Sequence, residues 1–146
     1  MNNANSILNN IEESKTSLQF ELSLPVIISQ QSIIVEHRVF LNKKANFKGN
    51  VKAGFGYLII DFYGIEEGPS GFLACNFLVG KTHCIEATIG LLSYKDLNSS
   101  NPEYTGWEDI LPKFQLGYRH VSHDGLIFRT GFGTTNLYIG CGIMLN

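Results

Sequence analysis

Alternation with a period of two recurs along this chain so regularly that few folds can satisfy it. In residues 112–121 (PKFQLGYRHV) one face carries Phe114, Leu116 and Tyr118, and the other Lys113, Gln115, Gly117 and Arg119. In 126–133 (LIFRTGFG) Leu126, Phe128, Thr130 and Phe132 oppose Ile127, Arg129, Gly131 and Gly133. Because side chains of a strand point to opposite sides at successive residues, each such run is an amphipathic strand. The same division sets Val35, His37, Val39 and Leu41 against Glu36 and Arg38, and Val51, Ala53, Phe55, Tyr57 and Ile59 against Lys52, Gly54 and Gly56. It continues with Ile85, Ala87, Ile89 and Leu91 against Glu86, Thr88 and Gly90, with Ile139, Cys141 and Ile143 against Gly140 and Gly142, and with Leu18, Phe20 and Leu22 against Gln19 and Glu21.

These patterns predict eight strands at 18–28, 32–41, 47–60, 71–80, 83–94, 110–121, 126–134 and 137–145, joined by turn-type segments such as SQQ, NKKAN, KT, SHDG and TN. Only 71–80 leaves its two faces undecided. Several runs exceed the roughly 5–6 residues of an ordinary strand and match the roughly 9–11 that a tilted strand needs to cross a bilayer. Residues 1–16, rich in Asn, Ser and Glu, read as a polar N-terminal arm ahead of a barrel domain at 17–146.

The polar face is thinly charged and carries many glycines. A face turned to water would hold Lys, Glu and Thr, since glycine weakens a strand interior and offers nothing to pack. On a crowded concave wall, small residues instead make room for large ones. The polar face is therefore expected inside, with Glu21, Glu36, Arg38, Lys52, Glu86, Lys113, Arg119 and Arg129 pairing with one another. The apolar face, with Phe55, Phe114, Leu116, Tyr118, Phe128 and Phe132, is expected to look outward at lipid. The expected fold is all-β, an eight-stranded antiparallel up-and-down β-barrel of outer-membrane type. With both termini at one end, 42–46, 81–82 and 122–125 become short turns there, and 61–70 and 95–109 long loops at the other. Phe62, Tyr63, Tyr94, Tyr104 and Trp107 would form an aromatic girdle near the long-loop rim.

Composition agrees and narrows the function classes. Charged residues are 16% of the 146, against roughly 25% in an ordinary soluble domain. The net charge of −2 comes without a run of Lys or Arg able to follow a phosphate backbone, so nucleic acid is not an expected partner. Cys75, Cys84 and Cys141 form no metal-ligand spacing and read as small apolar strand residues. The N-terminus lacks the basic and apolar regions of a secretory signal.

The runs SIIVEHRVF, NVKAGFGY, NFLVGKTHCIEATIGL and LPKFQLGYRHVSHDGLIFRTGFGT, in that order across roughly residues 17–146, resemble the small outer-membrane β-barrel proteins of Bacteroidota-type bacteria. The resemblance implies a β-barrel in the outer membrane and brings no settled biochemical activity.

Catalytic candidates are few. His120 and Ser122 share a face and resemble the His-x-Ser motif of outer-membrane lipid A deacylases, in which the imidazole activates the hydroxyl. That family also needs an acid roughly a dozen residues past the serine, where this chain has Phe132, Gly133 and Thr134. Ser122–Gly125 reads more simply as a polar hairpin turn. His37 and His83 share the apolar parity without further ligands for a metal. No cofactor, metal or catalysis is expected. The expectation is a monomeric barrel in a lipid bilayer, with a structural, adhesive or surface-binding role through 61–70 and 95–109, where an extracellular or small-molecule ligand would sit. The alternatives are a soluble lipocalin-like barrel binding a lipophilic ligand, and an esterase using His120 and Ser122.

Overall fold

The computed structural model describes residues 15–25, 28–61, 65–97, 109–134 and 136–145. They form β1 (Thr16–Pro25), β2 (Ile28–Asn42), β3 (Phe47–Asp61), β4 (Ile65–Gly80), β5 (His83–Tyr94), β6 (Asp109–Val121), β7 (Leu126–Gly133) and β8 (Asn136–Leu145). Each strand pairs antiparallel with its sequence neighbours, and β1 pairs with β8 from Thr16↔Leu145 to Pro25↔Asn136, so the sheet closes on itself. Closure removes the exposed edges that an open sheet must protect.

The tight turns lie at the end that also holds the start of β1 and the end of β8, called here the terminal end. The Asn42 side chain accepts hydrogen bonds from the Lys44 and Ala45 amides at 3.1 and 3.2 Å, an Asx turn that reverses β2 into β3. Gly80 (φ 128°) and Gly125 (φ 80°) occupy backbone conformations that side-chain-bearing residues avoid. They reverse the chain at 81–82 and 122–125.

Several elements extend past their expected limits. Ser29, Gln30 and Gln31, expected as a connection, lie inside β2. Gln30 and Ser32 point into a polar barrel interior, where polarity does not signal a turn. Likewise 61–70 is no long loop: β4 begins at Ile65 and pairs with β3 through Asp61↔Ile65, so the hairpin closes within 62–64. Glu66–Ser70 belong to a strand. A bulge between Arg38 and Phe40 inserts Val39, so Val39 and Phe40 both face outward at 64% and 53% exposure. The expected alternation breaks there, and Leu41 leaves the outward set. The strand 71–80 resolves with Phe72, Ala74, Asn76 and Leu78 inward and Leu73, Cys75, Phe77 and Val79 outward.

The girdle expectation changes at Tyr94, which is buried, with its hydroxyl donating to Glu66 at 2.6 Å. Phe62, Tyr63, Tyr104 and Trp107 lie outside the described residues, as do 98–108 of the 95–109 loop and residues 1–14 of the arm. Thr16 itself opens β1. The three cysteines are free thiols, Cys84 inside and Cys75 and Cys141 outside.

The barrel's polarity is inverted relative to a water-soluble core. Among the described residues seventeen buried side chains are polar or charged and eleven apolar, while Phe55, Leu73 and Ile85 are exposed at 61, 66 and 64%. The buried apolar groups gather mainly as Ile34, Leu58, Phe72, Ala74, Leu92 and Tyr94, on the β2–β5 wall.

Candidate functional site

The interior charges assemble into one ladder of alternating sign. Glu36 on β2 accepts two bonds from the Arg119 guanidinium of β6, at 2.6 and 2.9 Å, a bidentate pair. Arg119 Nε reaches Glu86 of β5 at 2.7 Å. Glu86 also takes Lys52 Nζ of β3 at 3.0 Å and contacts Arg129 of β7. Arg129 continues to Glu21 of β1 at 3.3 Å, and Glu21 meets Lys113 of β6 at 3.5 Å. Six of the eight strands are thereby joined across the lumen. The two others contribute neutral partners: Asn76 of β4 donates to Glu36 at 3.0 Å, and the Tyr138 ring of β8 lies 5.0 Å from the Arg129 guanidinium carbon.

Two of the carboxylates take further neutral partners. Asn50 donates to Glu36 at 2.7 Å and Gln115 to Glu21 at 2.9 Å. Pairing of this kind lets charges persist in a low-dielectric interior, where removing one partner leaves the others at high cost. Lys113 rests over the Phe72 ring at 4.4 Å and donates to Gln30 at 3.2 Å. Seven of the eight charged residues expected inside are buried. Arg38 differs, standing half-exposed at the terminal rim beside the bulge.

Glycine provides the room these side chains need. A Cβ on Gly54 would overlap the Phe72 ring, and one on Gly117 would overlap the Tyr138 hydroxyl. What the sequence did not display is the apolar half of the filling. Ile34, Leu58 and Phe72 share the parity of the charged residues, so only their place toward the end away from the termini separates them from the ladder. A cavity of about 160 Å³ opens at that end beside Gln30, Leu92, Leu111, Lys113 and Gln115.

The outward face carries the other expected set. Phe55, Phe114, Leu116, Tyr118, Phe128 and Phe132 are each between 44 and 61% exposed. Two shallow apolar grooves cross this surface, one of about 500 Å³ between Phe20, Phe128 and Ile139 over Gly140, another of about 460 Å³ between Phe77, Leu116 and Phe132.

The rims differ in charge. Among the described residues Lys15, Lys43, Lys44, Lys48 and Lys81 stand at the terminal end with Asp124, whereas Glu66, Glu67 and Asp96 stand at the far end with Lys95.

His120 and Ser122 are not brought together as a catalytic pair. Ser122 Oγ accepts the Leu126 amide at 3.1 Å, and the Ser122 amide donates to the Leu126 carbonyl at 2.8 Å, both closing the hairpin. The His120 ring instead faces His83 across the sheet, with centroids 4.6 Å apart. His37 is remote from that pair and hydrogen-bonds Thr16 at 2.9 Å. Among the described residues no three His, Cys, Asp or Glu side chains gather as a metal centre. Among the described residues no helix is long and apolar enough to cross a membrane.

No known protein family, curated protein or solved structure matches the chain.

Proposed function

We propose that this protein is a small membrane-embedded β-barrel of outer-membrane type, with a filled lumen and a structural, adhesive or surface-binding role rather than a catalytic one. The observation that carries the reading is the inverted polarity. Charged side chains such as Lys52 and Glu86 are fully buried, while large apolar ones ring the outside. A surrounding solvent less polar than the lumen favours that arrangement. The outward grooves, lined mainly by apolar side chains, suit acyl chains.

A filled lumen follows from the ion ladder across one part of the barrel and the Ile34, Leu58, Phe72 and Leu92 cluster in another. An eight-stranded barrel has just enough width for side chains. The charged groups that could act as acids or bases are engaged with one another, which favours a scaffold over an enzyme. A binding surface then falls to the far end, where Glu66 and Glu67 of β4 stand beside 95–97, the Leu97 amide donating to the Glu67 carbonyl at 2.9 Å. The resemblance to small outer-membrane barrels of Bacteroidota-type bacteria points the same way.

The second reading is a soluble lipocalin-like barrel with a lipophilic ligand, favoured by the apolar cluster inside the β2–β5 wall. One experiment separates the two. The full chain is refolded with and without detergent and run unboiled and boiled on a denaturing detergent gel. The membrane reading expects folding only with detergent or lipid, and a compact unboiled band of distinct mobility. A folded, monodisperse monomer in plain buffer would overturn it in favour of the soluble barrel.

A further inference from the structure

The two histidines that face each other on the outer wall lie outside everything the barrel's architecture requires. His83 opens β5, His120 nears the end of β6, and they are direct partners across the two strands. Val121 donates to the Thr82 carbonyl at 2.8 Å, which makes the neighbouring His83/His120 position a non-hydrogen-bonded pair. Cross-strand side chains come closest at such positions. Tyr118, two residues before His120 on the same face, brings its hydroxyl into contact with His83 Nδ1 and its ring to 5.9 Å from the His83 ring. His120 Nδ1 is enclosed by protein and has no hydrogen-bond partner.

We propose that His83 and His120, with the Tyr118 oxygen as a third donor, form a binding site for a first-row divalent transition-metal ion such as Cu²⁺ or Zn²⁺. Imidazole nitrogens suit these ions, and a mixed nitrogen and oxygen set favours Cu²⁺ most. The spacing is right for two ligands on one ion. With metal–nitrogen bonds of ~2.0–2.1 Å, each ring centre sits ~3.2 Å from the metal, so two rings lie ~4.5 Å apart at a right-angled site and ~5.2 Å apart at a tetrahedral one. The observed 4.6 Å falls at the lower of these. Turning each ring about its Cβ–Cγ bond directs a nitrogen to the shared ion without moving the strands, and the ion gives the orphaned His120 nitrogen a partner. Water completes the coordination, because the pair sits at the terminal rim and His83 is exposed. The site does not depend on which solvent surrounds the apolar belt, since both imidazoles lie next to the turns rather than in mid-strand.

The test uses the full chain without an affinity tag, folded in detergent, titrated with CuCl₂ and with ZnCl₂ by calorimetry, with CaCl₂ as the oxygen-preferring control. The gel-mobility shift of the folded barrel is checked for every variant. One transition-metal ion per chain is expected, with Cu²⁺ bound more tightly than Zn²⁺ and Ca²⁺ not bound there. His83→Gln and His120→Gln should each weaken Cu²⁺ binding at least 30-fold while the barrel stays folded, Tyr118→Phe should weaken it several-fold, and His37→Gln should leave it unchanged. In the Cu²⁺ spectrum, nitrogen hyperfine lines should fall from two nitrogens to one in either histidine variant. Absence of a bound ion, or affinity unchanged in both folded histidine variants, would overturn the proposal.

Discussion

Removing the Glu86 carboxylate is the sharpest way to ask what the interior ladder does. Three cations converge on this group: Lys52 at 3.0 Å, Arg119 at 2.7 Å and Arg129 in contact. At an effective dielectric of about 20, a unit pair ~4 Å apart is worth ~4 kcal/mol, before the cost of burying the charges is counted. Deletion does not forfeit three such terms, because partners remain. Arg119 keeps its bidentate hold on Glu36 and Arg129 keeps Glu21, whereas Lys52 is left with the Thr88 hydroxyl at 3.2 Å and no carboxylate nearer than Glu36 at 3.8 Å. The principal loss is therefore the buried Lys52 ammonium, and Glu86→Ala should cost ~3–5 kcal/mol, the range for breaking one buried pair. Glu86→Gln keeps the volume and one acceptor and should cost ~2–3 kcal/mol. Glu86→Leu combined with Lys52→Met removes both signs together, and should recover most of the loss, giving a coupling of ~2 kcal/mol or more in the double-mutant cycle. The assay is equilibrium unfolding by guanidinium in detergent micelles, read from the folded band on unboiled gels. A Glu86→Ala protein within ~0.5 kcal/mol of the parent, or strictly additive behaviour of the pair, would refute the idea that these charges depend on one another.

Other outcomes test the outer wall, the glycines and the hairpin. Leu116→Arg places a charge on the outward face, 45% exposed in the parent; in vesicles it should lower stability by ~2–4 kcal/mol, and an effect below ~0.5 kcal/mol would favour water as the surrounding solvent. Gly54→Ala pushes a methyl group into the Phe72 ring and should destabilise by ~1–3 kcal/mol, with Phe72→Leu on the same chain restoring part of it; unfolding midpoints that do not respond to the second change would count against the packing account. Ser122→Ala removes the acceptor for the Leu126 amide and should cost ~1 kcal/mol, with no change in hydrolysis of acylated lipids; a selective loss of such hydrolysis would restore His120 and Ser122 as a catalytic pair.

Legibility of the chain in sequence depended on whether a residue's neighbours lie on its own strand. Parity alone separated Phe114, Leu116 and Tyr118 from Lys113, Gln115 and Arg119, because the two sides of a strand are fixed by backbone geometry. Parity also failed predictably. Ser29, Gln30 and Gln31 read as a turn because polarity is normally a surface signal, and inside this barrel it is a core signal. Residues 65–70 read as a loop through Gly68 and Pro69, but the register pairs Gly68 with Leu58 and Pro69 with Tyr57. The Val39 bulge left no trace in the alternation that could be told from an ordinary apolar run. His83 and His120 lie far apart in the chain, so nothing local pointed to their facing each other.

The number of strands, their antiparallel order and the existence of one apolar and one polar, glycine-rich face were legible in the chain, since these follow from period, turn residues and the steric meaning of glycine. Tertiary structure alone decided which charge meets which, where the apolar filling ends and the ladder begins, and which outward residues become neighbours. Those outcomes depend on the stagger of the closed sheet, through which residues distant in sequence share a level of the barrel, and no one strand carries that stagger in its own pattern.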